Sequence, residues 1–311
     1  MAVFEIYSLP ALYRYKSSVW SKASFYVLAV IVLTFIPPLL IAYRSQGFWI
    51  TTNTYQEQPD VTYKKQLLIV AELANPGEYF AWSTYANFNN LLQGNLRVPQ
   101  VSSFELDNNR DGLNDQLSLN ISVPLTSSEQ VVSVHLLVIF DYKLYRMSTF
   151  EMESMVYVSQ SSALSGAGAK VTGDLGLYQR VPLYHRGADI RFNTPIIDST
   201  STFASSYDLF TILKNYSQRN ITTRLENSYS VWTPGRLPTE PFVLQLDVFY
   251  PTEVITYQPG FWELIKWGWV QYATILLLFL WVFKRINRTV FEGNVFNTVV
   301  QQPKVKIIKG L

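Results

Sequence analysis

FYVLAVIVLTFIPPLLIAY, residues 25–43, runs for 19 positions without a charged side chain. A counterpart near the other end, WGWVQYATILLLFLWVF at 267–283, runs for 17, and counted from Leu264 it reaches 20 with Lys266 as its one charge. At ~1.5 Å rise per residue, about 20 helical residues cover the roughly 30 Å hydrocarbon layer of a bilayer. The pair predicts two transmembrane α-helices, at 25–43 and 264–283. They flank a large middle segment, 44–263, and leave an N-terminal segment, 1–24, and a C-terminal tail, 284–311.

Charge orients this arrangement. Arg14, Lys16 and Lys22 precede the first span and Arg44 follows it, while Lys266 precedes the second and Lys284, Arg285 and Arg288 follow it. Basic residues close to a span stay cytoplasmic, whereas a long loop crosses largely regardless of its charge. Both termini are therefore expected in the cytoplasm and the middle segment outside it. Trp262, Trp267, Trp269 and Tyr272 would meet one headgroup layer and Trp281 the other, as amphipathic rings prefer. The rival reading of 25–43 as a cleaved signal peptide fits less well. Its apolar run is longer than a signal core, and no small-x-small cleavage pattern follows. Pro37-Pro38 removes two backbone donors and predicts a bend in the outer third of the first span.

With 48% apolar and 15% aromatic residues, the chain has enough material for a folded middle domain. A net charge of +2 and the lack of a basic, aromatic-interleaved stripe argue against nucleic acid as a partner. Cysteine is absent, which excludes disulfides, thiolate metal sites and thiol catalysis, and a domain of this size does not need disulfides. Asn120, Asn215 and Asn220 head Asn-x-Ser/Thr glycosylation acceptors in the middle segment. Such triplets arise by chance, so they lend mild support to export. Asn287-Arg288-Thr289 matches too, but on the side expected to be cytoplasmic.

The middle segment alternates with period two. Leu117, Leu119, Ile121 and Val123 share a face, as do Val132, Val134, Leu136, Val138 and Phe140, and Phe242, Leu244, Leu246, Val248 and Tyr250. This predicts half-buried antiparallel strands at 116–123, 130–140 and 242–250. Less regular strands are expected at 61–73, 152–160 and 170–178. At 208–219, Leu209, Ile212, Leu213 and Tyr216 stand at helical spacing with Ser206 as cap. The stretch 161–176, rich in Ser, Gly and Ala, reads as a flexible loop. Together these features predict a β-rich extracytoplasmic domain, an antiparallel sandwich with one or two short helices.

One turn carries coordination chemistry in its spacing. Asp107, Asn109, Asp111 and Asp115 place oxygens at relative positions 1, 3, 5 and 9 around Gly112, and the Leu113 carbonyl adds another. Calcium takes six to eight oxygens at roughly 2.3–2.6 Å. Ser118 stands where an EF-hand has Glu, so the choices are a strand-flanked calcium loop or a polar turn, for which Asp, Asn and Gly are equally suited. Catalytic signals are weak. His135 lies in a strand and His185 in a loop, with no second histidine at ligand spacing and no nucleophile elbow. In the second span, Gln271 and Thr274 offer hydrogen bonds to Thr34 of the first span or to a partner helix.

Local sequence then narrows the class. Ser21-Lys22-Ala23 leads into Ile36-Pro37-Pro38-Leu39-Leu40, then Arg44-Ser45, Gly47-Phe48-Trp49 and Glu57-Gln58-Pro59. Ala81-Trp82-Ser83-Thr84 and Leu96-Arg97-Val98-Pro99 follow, then the Asp107 turn, Tyr257-Gln258-Pro259-Gly260-Phe261-Trp262-Glu263, Trp269-Val270-Gln271-Tyr272 and Phe279-Leu280-Trp281-Val282-Phe283. In this order and spacing the chain resembles the transmembrane protein 231 family, two-span components of the gate at the base of the cilium. The tail from Gly293 matches least.

The resemblance implies a non-enzymatic structural component of the ciliary transition-zone membrane complex, acting beside tectonic and Meckel-syndrome proteins. That complex restricts diffusion between plasma and ciliary membranes and supports cilium assembly. The alternative is an accessory subunit of a membrane transporter or channel, which also pairs two spans with a large exported domain. No cofactor is implied other than calcium at the Asp107 turn.

Overall fold

The computed structural model describes residues 13–45 and 47–301. In chain order it runs β1 (Arg14–Lys16), α1 (Lys22–Arg44), β2 (Asn53–Glu57), β3 (Asp60–Leu73), β4 (Tyr79–Ser83), α2 (Ala86–Leu92), β5 (Gln100–Leu106), β6 (Gln116–Val123) and β7 (Val131–Leu144). It continues with β8 (Thr149–Gln179), β9 (Ala188–Phe192), α3 (Leu209–Ser217), β10 (Ile221–Pro234), β11 (Phe242–Phe249), β12 (Glu253–Tyr257), α4 (Phe261–Glu292) and β13 (Val299–Gln301). The chain divides into two compact units: Thr51–Pro259, and the two ends Met1–Ile50 and Gly260–Leu311.

Helices α1 and α4 are long and apolar enough to cross a membrane. Ser21 caps α1 by accepting the Ser24 amide, and the helix continues through Pro37 and Pro38 to Arg44. Its buried positions, Ala23, Val30, Thr34, Pro38 and Ala42, form one narrow stripe, while Leu28, Phe35 and Leu40 are exposed as lipid-facing side chains should be. Small residues on that stripe let α4 approach closely. On α4 the buried residue is Gly268, which faces Phe48 in the segment after α1, the ring lying 3.4 Å from the place a Cβ would take. Helix α4 runs past the apolar stretch to Glu292, and Gly293 closes it by donating to the Thr289 carbonyl at 3.0 Å.

The middle unit is β-rich and mostly antiparallel. Nine strands form one sheet in the order β4-β3-β7-β8-β11-β6-β5, with β9 and β10 also pairing with β8. The strand β8 explains how one sheet makes two layers. Its first half pairs with β7, from Leu144↔Phe150 to Val131↔Gly166. Its second half pairs with β11, from Val243↔Gly168 to Phe249↔Asp174, in parallel. The inner faces of the two half-sheets share one core, with Leu136, Val138 and Phe140 of β7 in the same cluster as Leu117 and Ile121 of β6 and Leu244 and Leu246 of β11. The expected sandwich is therefore a single sheet folded on itself.

The expected flexible loop at 161–176 is instead continuous strand within β8. Its glycines are there because neighbours sit too close for side chains. A Cβ on Gly166 would come within 2.5 Å of the Trp232 ring, and one on Gly168 would strike the backbone carbonyl of Val243. Strands expected at 152–160 and 170–178 are two parts of this one element.

The half-sheet of β3, β7 and β8 is buried on both faces. On its far side Leu68, Leu137, Ile139 and Met155 are covered by Phe88 and Leu92 of α2, Ile212 and Tyr216 of α3, and Tyr207. Helix α3 begins one residue later than expected and is capped by Asp208, whose carboxylate accepts the Thr211 amide at 3.0 Å. Ser206 lies in the preceding 3-10 turn and is not the cap. In β7 a register shift between Val131 and Ser133 sends Val131, in place of Val132, into the core.

Candidate functional site

The Asp107 turn joins β5 to β6, and its geometry follows from Asx chemistry. Asp107 accepts the Arg110 and Gly112 amides at 2.6 and 3.0 Å, one on each oxygen. Asn109 accepts the Asp111 amide at 3.0 Å, and Asp111 accepts the Leu113 amide at 2.8 Å and the Asn109 side-chain amide at 2.9 Å. Asp115 accepts the Asn108 and Asn109 amides on one oxygen and the Gln58 side chain on the other. The Gln58 hydrogen bond, followed by that of the Asn108 amide, holds the Asp115 carboxyl below its usual value. Arg110 and Gly112 take positive φ, which permits the sharp reversal. The five residues proposed as calcium ligands are thus brought into one turn, where the carboxylates of Asp107, Asp111 and Asp115 accept hydrogen bonds from the loop and from Gln58. Among the described residues no group of three or more His, Asp or Glu is placed to hold a metal ion.

A cleft beside this turn is lined by Glu57, Asp60, Asp111, Leu113 and Arg146. Glu57 accepts the Tyr145 and Arg146 amides at 2.7 and 2.9 Å, and the Arg146 guanidinium donates to the Gln56 carbonyl. These bonds fix the β7–β8 turn against β2. The cleft is open, and among its charges Glu57, Arg146 and Asp111 hold backbone.

Two further polar assemblies lay outside the sequence reading. Lys64 meets Glu153 at 2.7 Å and Asp141 at 3.4 Å on the helix-covered side of the sheet. Burial alone would lower the Lys64 ammonium, but the hydrogen bond to Glu153 and the two carboxylate charges outweigh it and raise its pKa. Glu153 also accepts the Ile196 amide at 2.7 Å. The sequence held a signal for this: alternation in 61–73 breaks at Lys64-Lys65, where β3 bulges and Lys65 takes φ 58°. At one end of the sheet, Arg236 donates to the carbonyls of Thr126, Glu129 and Glu240 at 2.6–2.7 Å, and Arg97 pairs with Glu129 at 2.7 Å.

The acceptors Asn120, Asn215 and Asn220 are all exposed, the first in mid-strand on β6, the second on α3 and the third just before β10. His135 Nδ1 lies 2.9 Å from the Tyr157 hydroxyl and its Nε2 lies 3.2 Å from Ser133 Oγ. That arrangement satisfies the ring on the sheet surface. In the helical unit, Gln271 donates to the Gly47 carbonyl at 3.0 Å, and Thr274 and Thr34 bond back to the carbonyls of Val270 and Val30. Among the described residues no bond joins Gln271 or Thr274 to Thr34: the Gln271 amide goes to Gly47, and both hydroxyls donate within their own helices.

What these sites share is the architecture around them: two apolar helices that bracket, in sequence, a folded-sheet domain whose charged groups hold backbone together. The sequence profile of the transmembrane protein 231 family matches residues 1–300. The chain belongs to this family. Transmembrane protein 231 of Xenopus tropicalis is 47% identical over 299 residues, covering 96% of each chain. The rat protein is 47% identical over 311 residues, covering 99% of each, and the human protein 45% over 300, covering 96% of this chain and 95% of its own. The likeness to transmembrane protein 231 therefore takes in both spans and the whole middle unit.

Proposed function

We propose that the chain is a non-enzymatic structural component of the ciliary transition-zone membrane complex, helping to form the diffusion barrier between plasma and ciliary membranes and to assemble the cilium. The observation that carries this reading is full-length membership of the transmembrane protein 231 family. In this reading both termini lie in the cytoplasm, as the basic residues flanking the spans favour, and residues 51–259 face outward. That unit is the main surface for tectonic and Meckel-syndrome partners, because it holds most of the folded chain and is anchored by a span at each of its ends. Its polar groups support a role without chemistry: Glu57, Glu153, Arg219 and Arg236 hold backbone segments in place.

The test is the location of the tagged full chain in ciliated cells. A ring at the ciliary base is expected, and uniform plasma-membrane or reticular distribution would support an accessory transporter or channel subunit instead. A chain lacking residues 50–255 should reach membranes yet fail to join the complex. Normal incorporation of that chain would move the partner surface to the helices.

A further inference from the structure

The geometry points to a binding site for the anionic headgroup of a phospholipid at the end of the helix pair where the two terminal segments meet. Strand β1 pairs with β13, Tyr15 opposite Val300 and Lys16 opposite Val299, which brings both segments to the same end of α1 and α4. The Tyr26 hydroxyl donates to Asn287 Oδ1 at 3.0 Å, and the rings of Tyr15 and Tyr26 pack on Phe291 at 5.4 and 6.1 Å. The first turns of α1 are thereby held level with residues 287–291 of α4.

That level is the edge of the bilayer. The apolar run of α4 ends at Phe283 and is followed at once by Lys284 and Arg285. Asn287 stands about 6 Å further along the axis, at ~1.5 Å per residue. A cleft of about 460 Å³ opens here. Lys16, Ser17, Ser24 and Thr298 line its polar part, and Val27 and Phe291 its apolar part. The Lys16 ammonium and the Thr298 hydroxyl, beside Val27 and Phe291, match the boundary between a phosphate headgroup and its acyl chain, while the Ser17 and Ser24 hydroxyls donate to Ser21 Oγ and the Ser18 carbonyl at the start of α1. Lys16 is exposed, and Val27 is 40% exposed.

The surrounding field has one sign. Arg14, Lys22, Lys284, Arg285 and Arg288 lie at the same end. Among the described residues the acid at this end is Glu292, already paired with Arg288 at 3.1 Å. Basic residues beside a span attract anionic lipid, and the cleft selects a phosphate held at the membrane surface over a soluble one by its apolar wall. The site goes beyond the ciliary reading and does not depend on it, since it needs only that α1 and α4 span a bilayer.

The test uses full-length protein in phosphatidylcholine bilayers carrying traces of spin-labelled phosphatidylserine or phosphatidylcholine. The serine lipid should show the larger motionally restricted fraction. Lys16→Gln should cut that preference about fivefold, the scale of one lysine's attraction to anionic lipid. Lys16→Arg should keep the preference, and Lys266→Gln, at the other end of α4, should leave it unchanged. Equal restriction of the two lipids would overturn the site, as would equal losses for Lys16→Gln and Lys266→Gln. Displacement of the serine lipid by inorganic phosphate at constant ionic strength would also overturn it, by making the ligand a soluble anion.

Discussion

Lys64 of β3 and Glu153 of β8 are joined at 2.7 Å across the intervening β7, with the Glu153 side chain 5% exposed and also holding the Ile196 amide. A charge this enclosed is tolerable only while its partner stays. Removing one member of a buried pair leaves the other uncompensated, at a cost of about 3–5 kcal/mol. Lys64→Met should therefore lower stability by about 3 kcal/mol, the low end, because Lys64 itself remains 27% exposed. Replacing Lys64 and Glu153 together with Met should recover most of that loss. Thermal melts of the full chain in detergent measure both.

Asp115 ties the acidic turn to Gln58 and to the Asn108 and Asn109 amides, so its oxygens are taken by two donors of the loop and one from outside it. An ion would compete with these donors for the lone pairs of the same oxygens. Millimolar calcium should leave the melting temperature unchanged. A rise of several degrees that chelator reverses would show that the loop rearranges around the ion.

Glu129 predicts a pH dependence. Burial would raise its carboxyl, but the Thr126 amide and the Arg97 side chain outweigh burial and hold it below its ordinary 4.5. Since folding lowers this pKa, its stabilising contribution is complete above about 4.5 and fades as pH falls through the lower, folded value. Glu129→Gln should therefore melt below the parent protein at neutral pH, with the gap closing as pH falls through the depressed carboxyl value. A gap that persists undiminished at low pH would remove the carboxylate from the explanation.

The misread part of the fold and the well-read parts differ in what their side chains do. Strands β6 and β11 each bury one face, so alternation alone revealed them: Leu117, Leu119, Ile121 and Val123 are buried, and Asn120 is exposed. Strand β7 is buried on both faces, and its Leu137 and Ile139 signalled a second layer that period two cannot express. In β8 the signal was inverted. Gly166 and Gly168 look like loop residues because the strand runs through a place where Trp232 and the Val243 backbone leave no room for a Cβ. Contacts between residues distant in sequence, such as Lys64 with Glu153, had no local trace beyond the broken alternation at Lys64-Lys65. The acidic turn was found, but spacing does not say whether its oxygens point inward to an ion or back to amides.

That account of β8 can be checked. Gly168→Val would drive a side chain into the Val243 carbonyl and separate β8 from β11, at a cost of about 2–3 kcal/mol by overpacking. Ala163→Val, at an exposed position of the same strand, should be neutral within about 0.5 kcal/mol. If 161–176 behaved as a loop, the two substitutions would be equally harmless.

Orientation in the membrane has a chemical readout in the asparagines. Asn120, Asn215 and Asn220 are exposed on the middle unit, while Asn287 accepts the Tyr26 hydroxyl at the far end of α4. Glycan transfer occurs only on the lumenal side, so the proposed topology makes the first three available and denies the fourth. Asn120 sits in mid-strand, where β5 and β11 flank it on either side, so a sugar there must be added before the sheet closes. Asn215 and Asn220, at and just past the C-terminal turn of α3, stay accessible longer. Each of Asn215→Gln and Asn220→Gln should remove one endoglycosidase-sensitive step from the protein's gel mobility, with Asn120→Gln removing a smaller fraction. Asn287→Gln should remove none, and a lost step in that variant alone would reverse the chain in the membrane.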